Sequence, residues 1–149
     1  MDSTLINCFP FVRIKYFSLK EAEKLVPNED TIMISIRDPG GRVHLKQGWK
    51  NLIEIECDDL DPDELRSIGR MDLIRTAKFF NEDDARKIVK ASVTDRPIEI
   101  RNIYVHCKAG TSRSAAVAQA LAEHYRVIIN KSSNPNPLIL NVLRSILNK

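Results

Sequence analysis

No stretch of this chain approaches the roughly 18 consecutive apolar residues that a membrane-spanning helix needs, so no membrane span is expected. Cysteine is scarce and odd in number. Cys8, Cys57 and Cys107 lie far apart, which argues against a disulfide framework and fits a reducing compartment. Neither these cysteines nor the three histidines show metal-ligand spacing, so neither a metal site nor a cofactor is expected. Basic blocks are missing too. The net charge is only +3, and Lys and Arg are interspersed with acids, leaving no stripe of the kind that binds nucleic acid. Without repeats, low-complexity tracts or Gly/Ser linkers, residues 1–149 read as a single domain, long enough to bury a core without staples. The first residues, MDSTLINCFPFVRIKYF, carry an acid at position 2 and no basic segment ahead of their apolar part, unlike a secretory leader. A cytoplasmic location is the expectation.

What is present is an alternation of strand and helix patterns. FVRIKYF alternates as a strand does, and SLKEAEKLV follows with Ser18 and Glu21 spaced as a capping box, the short helix stopping by Pro27. TIMISIRDPGG is an apolar run bounded by Pro39 and two glycines, a buried strand feeding a loop. NLIEIEC alternates again and ends at DDLDPDE. From Pro62 to about Ser92 the period is helical, interrupted at Gly69 and restarted at Asn81 with acids suited to a helix N-terminus. IEIRNIYVHC reads as a strand from its β-branched and aromatic content, and RSAAVAQALAEHYRV as a helix. After NPNP, Leu138, Ile139, Val142, Leu143 and Ile146 share one face of a closing amphipathic helix. The expected fold is α/β, a central and at least partly parallel sheet flanked by helices, with ligands beyond the carboxyl ends of its strands.

One segment joins strand to helix through a tight turn: HCKAGTSR, residues 106–113. The backbone N–H groups from Lys108 through Ala109, Gly110, Thr111 and Ser112 to Arg113 are placed to form an anion cradle, reinforced by the helix dipole. Gly110 permits the backbone conformation this requires. Arg113 offers a planar fork for two phosphate oxygens. Cys107, at the mouth of such a cradle, is expected as thiolate, in line with the phosphorus of a bound ester.

HCKAGTSRS resembles the H-C-x5-R-S/T signature of the cysteine-dependent protein tyrosine and dual-specificity phosphatases, in particular small dual-specificity and phage-type members. The resemblance in layout extends over roughly residues 31 to 147. It implies that Cys107 attacks phosphorus to give a phosphocysteine intermediate and that Arg113 binds the phosphoryl group. His106 would tune the thiolate, and Ser114 would assist its departure in hydrolysis. The family takes its general acid from an upstream aspartate loop. Here IECDDLDPD supplies the candidates, with Asp59 favoured, Asp58 second and Asp72 the further alternative. Asn136, after Pro135, resembles an element that supports the active-site wall, and a plain helix cap explains it almost as well.

The expected activity is hydrolysis of phosphotyrosine, with phosphoserine and phosphothreonine as further substrates, in a phosphorylated protein or a small phosphomonoester. A phosphoinositide or phospholipid phosphatase is the second reading, since HCKAG with Lys108 also resembles loops of that class. A phosphate-binding module without turnover is the reading from another class. Cys57 reads first as an apolar packing residue and second as an oxidative disulfide partner for Cys107. Trp49, Phe79 and Phe80 read as core or pocket wall.

Overall fold

The computed structural model describes residues 11–149; Cys8 and the reading of the first ten residues lie outside them. Strands β1 (Arg13–Phe17), β2 (Thr31–Arg37), β3 (Asn51–Glu56) and β4 (Asn102–His106) form one sheet in the order β1-β4-β2-β3. Every neighbouring pair is parallel, so the sheet goes beyond the partly parallel expectation. The last strand is inserted between the first two, and its register sets His106 opposite both Phe17 and Ser35. All four carboxyl ends therefore reach the same edge, and the segments that follow them meet there.

The helices are α1 (Leu19–Lys24), α2 (Pro62–Ser67), α3 (Met71–Thr76), α4 (Glu82–Val89), α5 (Arg113–Tyr125) and α6 (Pro137–Leu147). The capping box is formed at α1: the Ser18 hydroxyl accepts from Glu21 N at 3.2 Å and Glu21 Oε1 accepts from Ser18 N at 2.9 Å. Gly69, at φ +74, separates α2 from α3. Helix α4 starts on a second capping box, Asn81 with Asp84, and runs into one π turn at Lys90–Thr94. The strand expected over IEIRNIYVHC is shorter than its pattern. Pro97 opens a turn closed by Ile100 N donating to Pro97 O at 3.1 Å, and Arg101 N and Asn102 N both donate to Asp30 O, so pairing begins only at Asn102.

Helix α5 is alanine-rich because it is buried nearly all round, from Arg113 to Ala122. It packs on β1 and β4, α4 packs on β3, and α6 packs on both α5 and α4. Ile139, Leu140 and Leu143 are the buried residues of α6; Leu138, Val142 and Ile146 pack partly buried beside them, so the apolar face is rotated slightly towards Leu140. Phe80 lies in the core at 2% exposure. At the sheet edge, Arg37 bridges Glu54 and Glu56 at 3.6 Å each, and Lys87 Nζ donates to Glu54 O at 2.9 Å. No helix among the described residues is long and apolar enough to cross a membrane.

Leu143 is fully buried where α6 meets α5. Leu143→Ala is expected to lower the free energy of unfolding by about 2–5 kcal/mol through lost burial and a residual cavity, read from the shift of the urea midpoint.

Candidate active site

Cys107 follows β4 directly and its N–H continues the ladder onto Phe17 O at 3.3 Å. Its side chain is 2% exposed. Two groups face the sulfur: Gly110 N donates to Sγ at 3.2 Å, and Ser114 Oγ lies 3.1 Å away.

The turn is anchored from outside by its carbonyls. Lys108 O accepts from Leu19 N at 3.1 Å, Thr111 O from the Ser132 hydroxyl at 2.6 Å, and Ser112 O from Asn136 N at 3.1 Å. With the carbonyls engaged by three separate segments, the N–H groups of Lys108, Ala109, Thr111 and Ser112 have no partner among the described residues. Gly110 makes this shape possible. It sits at φ +77, and a Cβ there would lie 2.5 Å from Ser18 N and 2.7 Å from the Phe17 carbonyl carbon. Both are backbone atoms that cannot swing aside.

Arg113 opens α5 with its side chain buried beneath the turn. One guanidinium nitrogen, Nη1, donates to Cys57 O at 2.7 Å and is ion-paired with Asp38 Oδ1 at 2.7 Å. The Nε–H is buried and has no partner among the described residues. A buried, unpaired donor on a charged group is costly.

His106 is fully buried. Its Nδ1 lies 3.3 Å from Cys107 O and its Nε2 lies 2.6 Å from Ser35 Oγ. A carbonyl oxygen only accepts, so Nδ1 carries the proton and Nε2 accepts from the Ser35 hydroxyl. Burial is the chief cause that holds the ring's pKa below its ordinary value near 6.5, and the imidazole stays neutral.

The three upstream aspartates are separated by the structure. Asp59 approaches the turn, where its Oδ1 accepts from the Ser112 hydroxyl at 2.7 Å and from Asn136 Nδ2 at 2.9 Å. Its Oδ2 has no partner among the described residues. Asp58 is turned away and clamped to Lys78, donating its N–H to Lys78 O at 2.8 Å and accepting from Lys78 N at 2.7 Å. Asp72 lies on exposed α3, paired with Arg70 through two hydrogen bonds of 3.1 Å. Asn136 caps α6, its Oδ1 accepting from Ile139 N, and its amide also holds Asp59 Oδ1 and Leu60 O.

Cys57 follows β3, and β2 runs between β3 and β4. Two strand spacings, about 9–10 Å, exceed the ~7 Å that a disulfide spans between Cα atoms. A bridge to Cys107 therefore needs backbone movement. Burial, the chief cause, also pushes the Cys57 thiol up to about 12, so packing is the role the geometry fits. Trp49 lines a separate cavity of about 310 Å³ on β2 and β3 with Ser35 and Glu54.

Two residues of the site escape a reading of the sequence alone. Asp38 lies in RDPGG, a turn with Pro39 second, Gly40 third at φ +71, and Gly41 N donating to Asp38 O at 2.8 Å. An acid at the carboxyl end of a strand neighbouring β4 was the available signal. Ser35 is one of two buried hydroxyl residues in TIMISIR, with Thr31, and such a group must find a partner. The chain matches no protein-family model, no curated protein and no solved structure, so the site is read from its own residues.

Two outcomes are expected. Gly110→Ala clashes with the Phe17–Ser18 backbone and is strained at positive φ, so it should lower stability by more than about 1 kcal/mol in chemical denaturation. For His106, the unfolded chain takes up a proton below about pH 6.5 while the folded ring resists it. Stability is therefore lost as pH falls through 6.5 towards the lower folded value. His106→Asn, which keeps a donor towards Cys107, should flatten the fall in melting temperature between about pH 7 and 5.5.

Proposed function

We propose that this chain hydrolyses phosphate monoesters, phosphotyrosine first and phosphoserine or phosphothreonine in addition, through a phosphocysteine intermediate. The reading rests on the turn at Cys107: amides of Lys108, Ala109, Thr111 and Ser112 and the Nε–H of Arg113 without partners among the described residues, and a cysteine sulfur in the same turn that accepts from Gly110 N. The resemblance of HCKAGTSRS to the tyrosine and dual-specificity phosphatase signature supports it.

In this reading the loop amides and Arg113 take the nonbridging oxygens of the phosphoryl group, which carry the charge of the transition state. The Cys107 thiolate forms the S–P bond as the bond from phosphorus to the ester oxygen breaks. Asp59 gives that oxygen its proton from Oδ2, the oxygen left free while Ser112 and Asn136 hold Oδ1. Water then attacks phosphorus, Asp59 takes the proton back, and the S–P bond breaks to release inorganic phosphate. Ser114 and Gly110 N donate to the departing sulfur. His106 acts through the Cys107 carbonyl, neutral and fixed by Ser35. Asp38 holds the Arg113 guanidinium in place.

A phosphoinositide or phospholipid head group is the second substrate class, favoured by exposed Lys108 and Arg42 on the cavity beside Cys107. Hydrolysis of phenyl phosphate, whose leaving group is poor, tests the main reading. Cys107→Ser should reduce turnover by at least roughly 10³, and Asp59→Asn by about 10²–10⁴. The Asp59→Asn loss should shrink on p-nitrophenyl phosphate, whose leaving group needs little proton help. A wild-type protein that binds phosphotyrosine without turning it over is a phosphate-binding module instead.

A further inference from the structure

Two cavities flank the turn, and their charges are opposite. The first, of about 170 Å³, is bounded by His106 at the end of β4, by Cys107 and Lys108 of the turn, and by Asp38 and Arg42 from the segment after β2. Its acid is engaged, since Asp38 is paired with Arg113. Arg42 and Lys108 are exposed and form no ion pair among the described residues, so this flank presents uncompensated positive charge.

The second cavity, of about 480 Å³, lies on the Thr111–Ser112 side. Asp59, Asp61 and Glu64 line it together with Leu65, Ile68 and Pro135, and no Lys or Arg does. Two of the acids are engaged, Asp59 by Ser112 and Asn136 and Asp61 as the cap accepting from Glu64 N at 3.1 Å. The Glu64 carboxylate has no partner among the described residues, for its hydrogen bonds run through its backbone. Ile68, 68% exposed, is the apolar rim beside it.

A long cationic side chain is the occupant that matches these walls. Its methylene stem lies on Ile68, Leu65 and Pro135 while its charged end meets Glu64. An anion entering the same cavity meets acidic side chains and no Lys or Arg, and loses its hydration for nothing.

We infer that the site reads the order of charge along a phosphopeptide: acidic residues on the Arg42–Lys108 side of the phosphorylated residue, and a lysine or arginine on the Glu64–Ile68 side. This deepens the hydrolase reading and rests on it, and it selects the peptide over the phosphoinositide. A head group carrying several phosphates can meet Arg42 and Lys108 but offers no cation to the Glu64 side.

Two phosphotyrosine peptides of one composition, with acidic and basic flanks exchanged, test the inference. Wild type should favour one order in kcat/KM by at least about three-fold, the size of one exposed ion pair. Glu64→Lys and Arg42→Glu should each bring that ratio towards one or invert it, which a merely structural role would not do. Orders that differ by less, a ratio that neither variant moves, or faster hydrolysis of a short-chain bisphosphorylated inositol lipid than of both peptides overturns the inference. If neither peptide nor an aryl phosphate is hydrolysed, the hydrolase reading falls by itself. Fluorescence anisotropy of the two labelled peptides on Cys107→Ser then decides the charge order, a three-fold gap in Kd sustaining it and a smaller one overturning it.

Discussion

Gly110 lies with its Cα against the backbone of Phe17 and Ser18, closer than any side chain would allow, and much of the site follows from that contact. It presses the turn after β4 onto the end of β1, where Leu19 N takes the Lys108 carbonyl. The residues after Gly110 are held in the same way from the opposite side by Ser132 and Asn136. A peptide unit whose C=O is fixed outward has its N–H directed inward, so outer ties orient the inner donors. The arrangement requires β1 beside β4, which the parallel insertion of the last strand provides.

The polar groups around this turn are arranged so that each acid has one duty. Asp38 holds Arg113, Asp58 ties the chain to Lys78, and Asp59 reaches Ser112. Arg113 meets the Cys57 carbonyl and Asp38 through one nitrogen, and its Nε has no partner among the described residues. The buried His106, kept neutral, joins Ser35 on β2 to the Cys107 carbonyl and so crosslinks two strands beneath the sulfur without adding charge to it.

Local chemistry was the part of this structure legible in the sequence. The capping box at Ser18, the helix start at Asn81, the break at Gly69, the strand patterns and the alanine-rich helix all depend on neighbours a few residues apart. The turn from Cys107 to Arg113 was legible for the same reason, its glycine and arginine lying within one short motif. IEIR was misread because its strand-like composition gives no sign that Asp30 O will capture the N–H groups of Arg101 and Asn102. Asp38 was missed because its partner lies 75 positions away and is known only once β2 is placed beside β4. The order of strand and acids alone favours Asp59 over Asp58, whereas the partners of these adjacent residues, Ser112 for one and Lys78 for the other, are long-range and were not legible.

The borders of the sheet have a consequence of their own. Strand β3 is an outer strand that carries Glu54 and Glu56, Arg37 bridges both, and Lys87 occupies the Glu54 carbonyl. On the opposite border β1 presents exposed Arg13 and Lys15. A strand from another molecule that docked on either side would have to displace or bury charge. A sheet of parallel strands, slow to form and adhesive while incomplete, is thereby guarded at both margins against growing into a polymer.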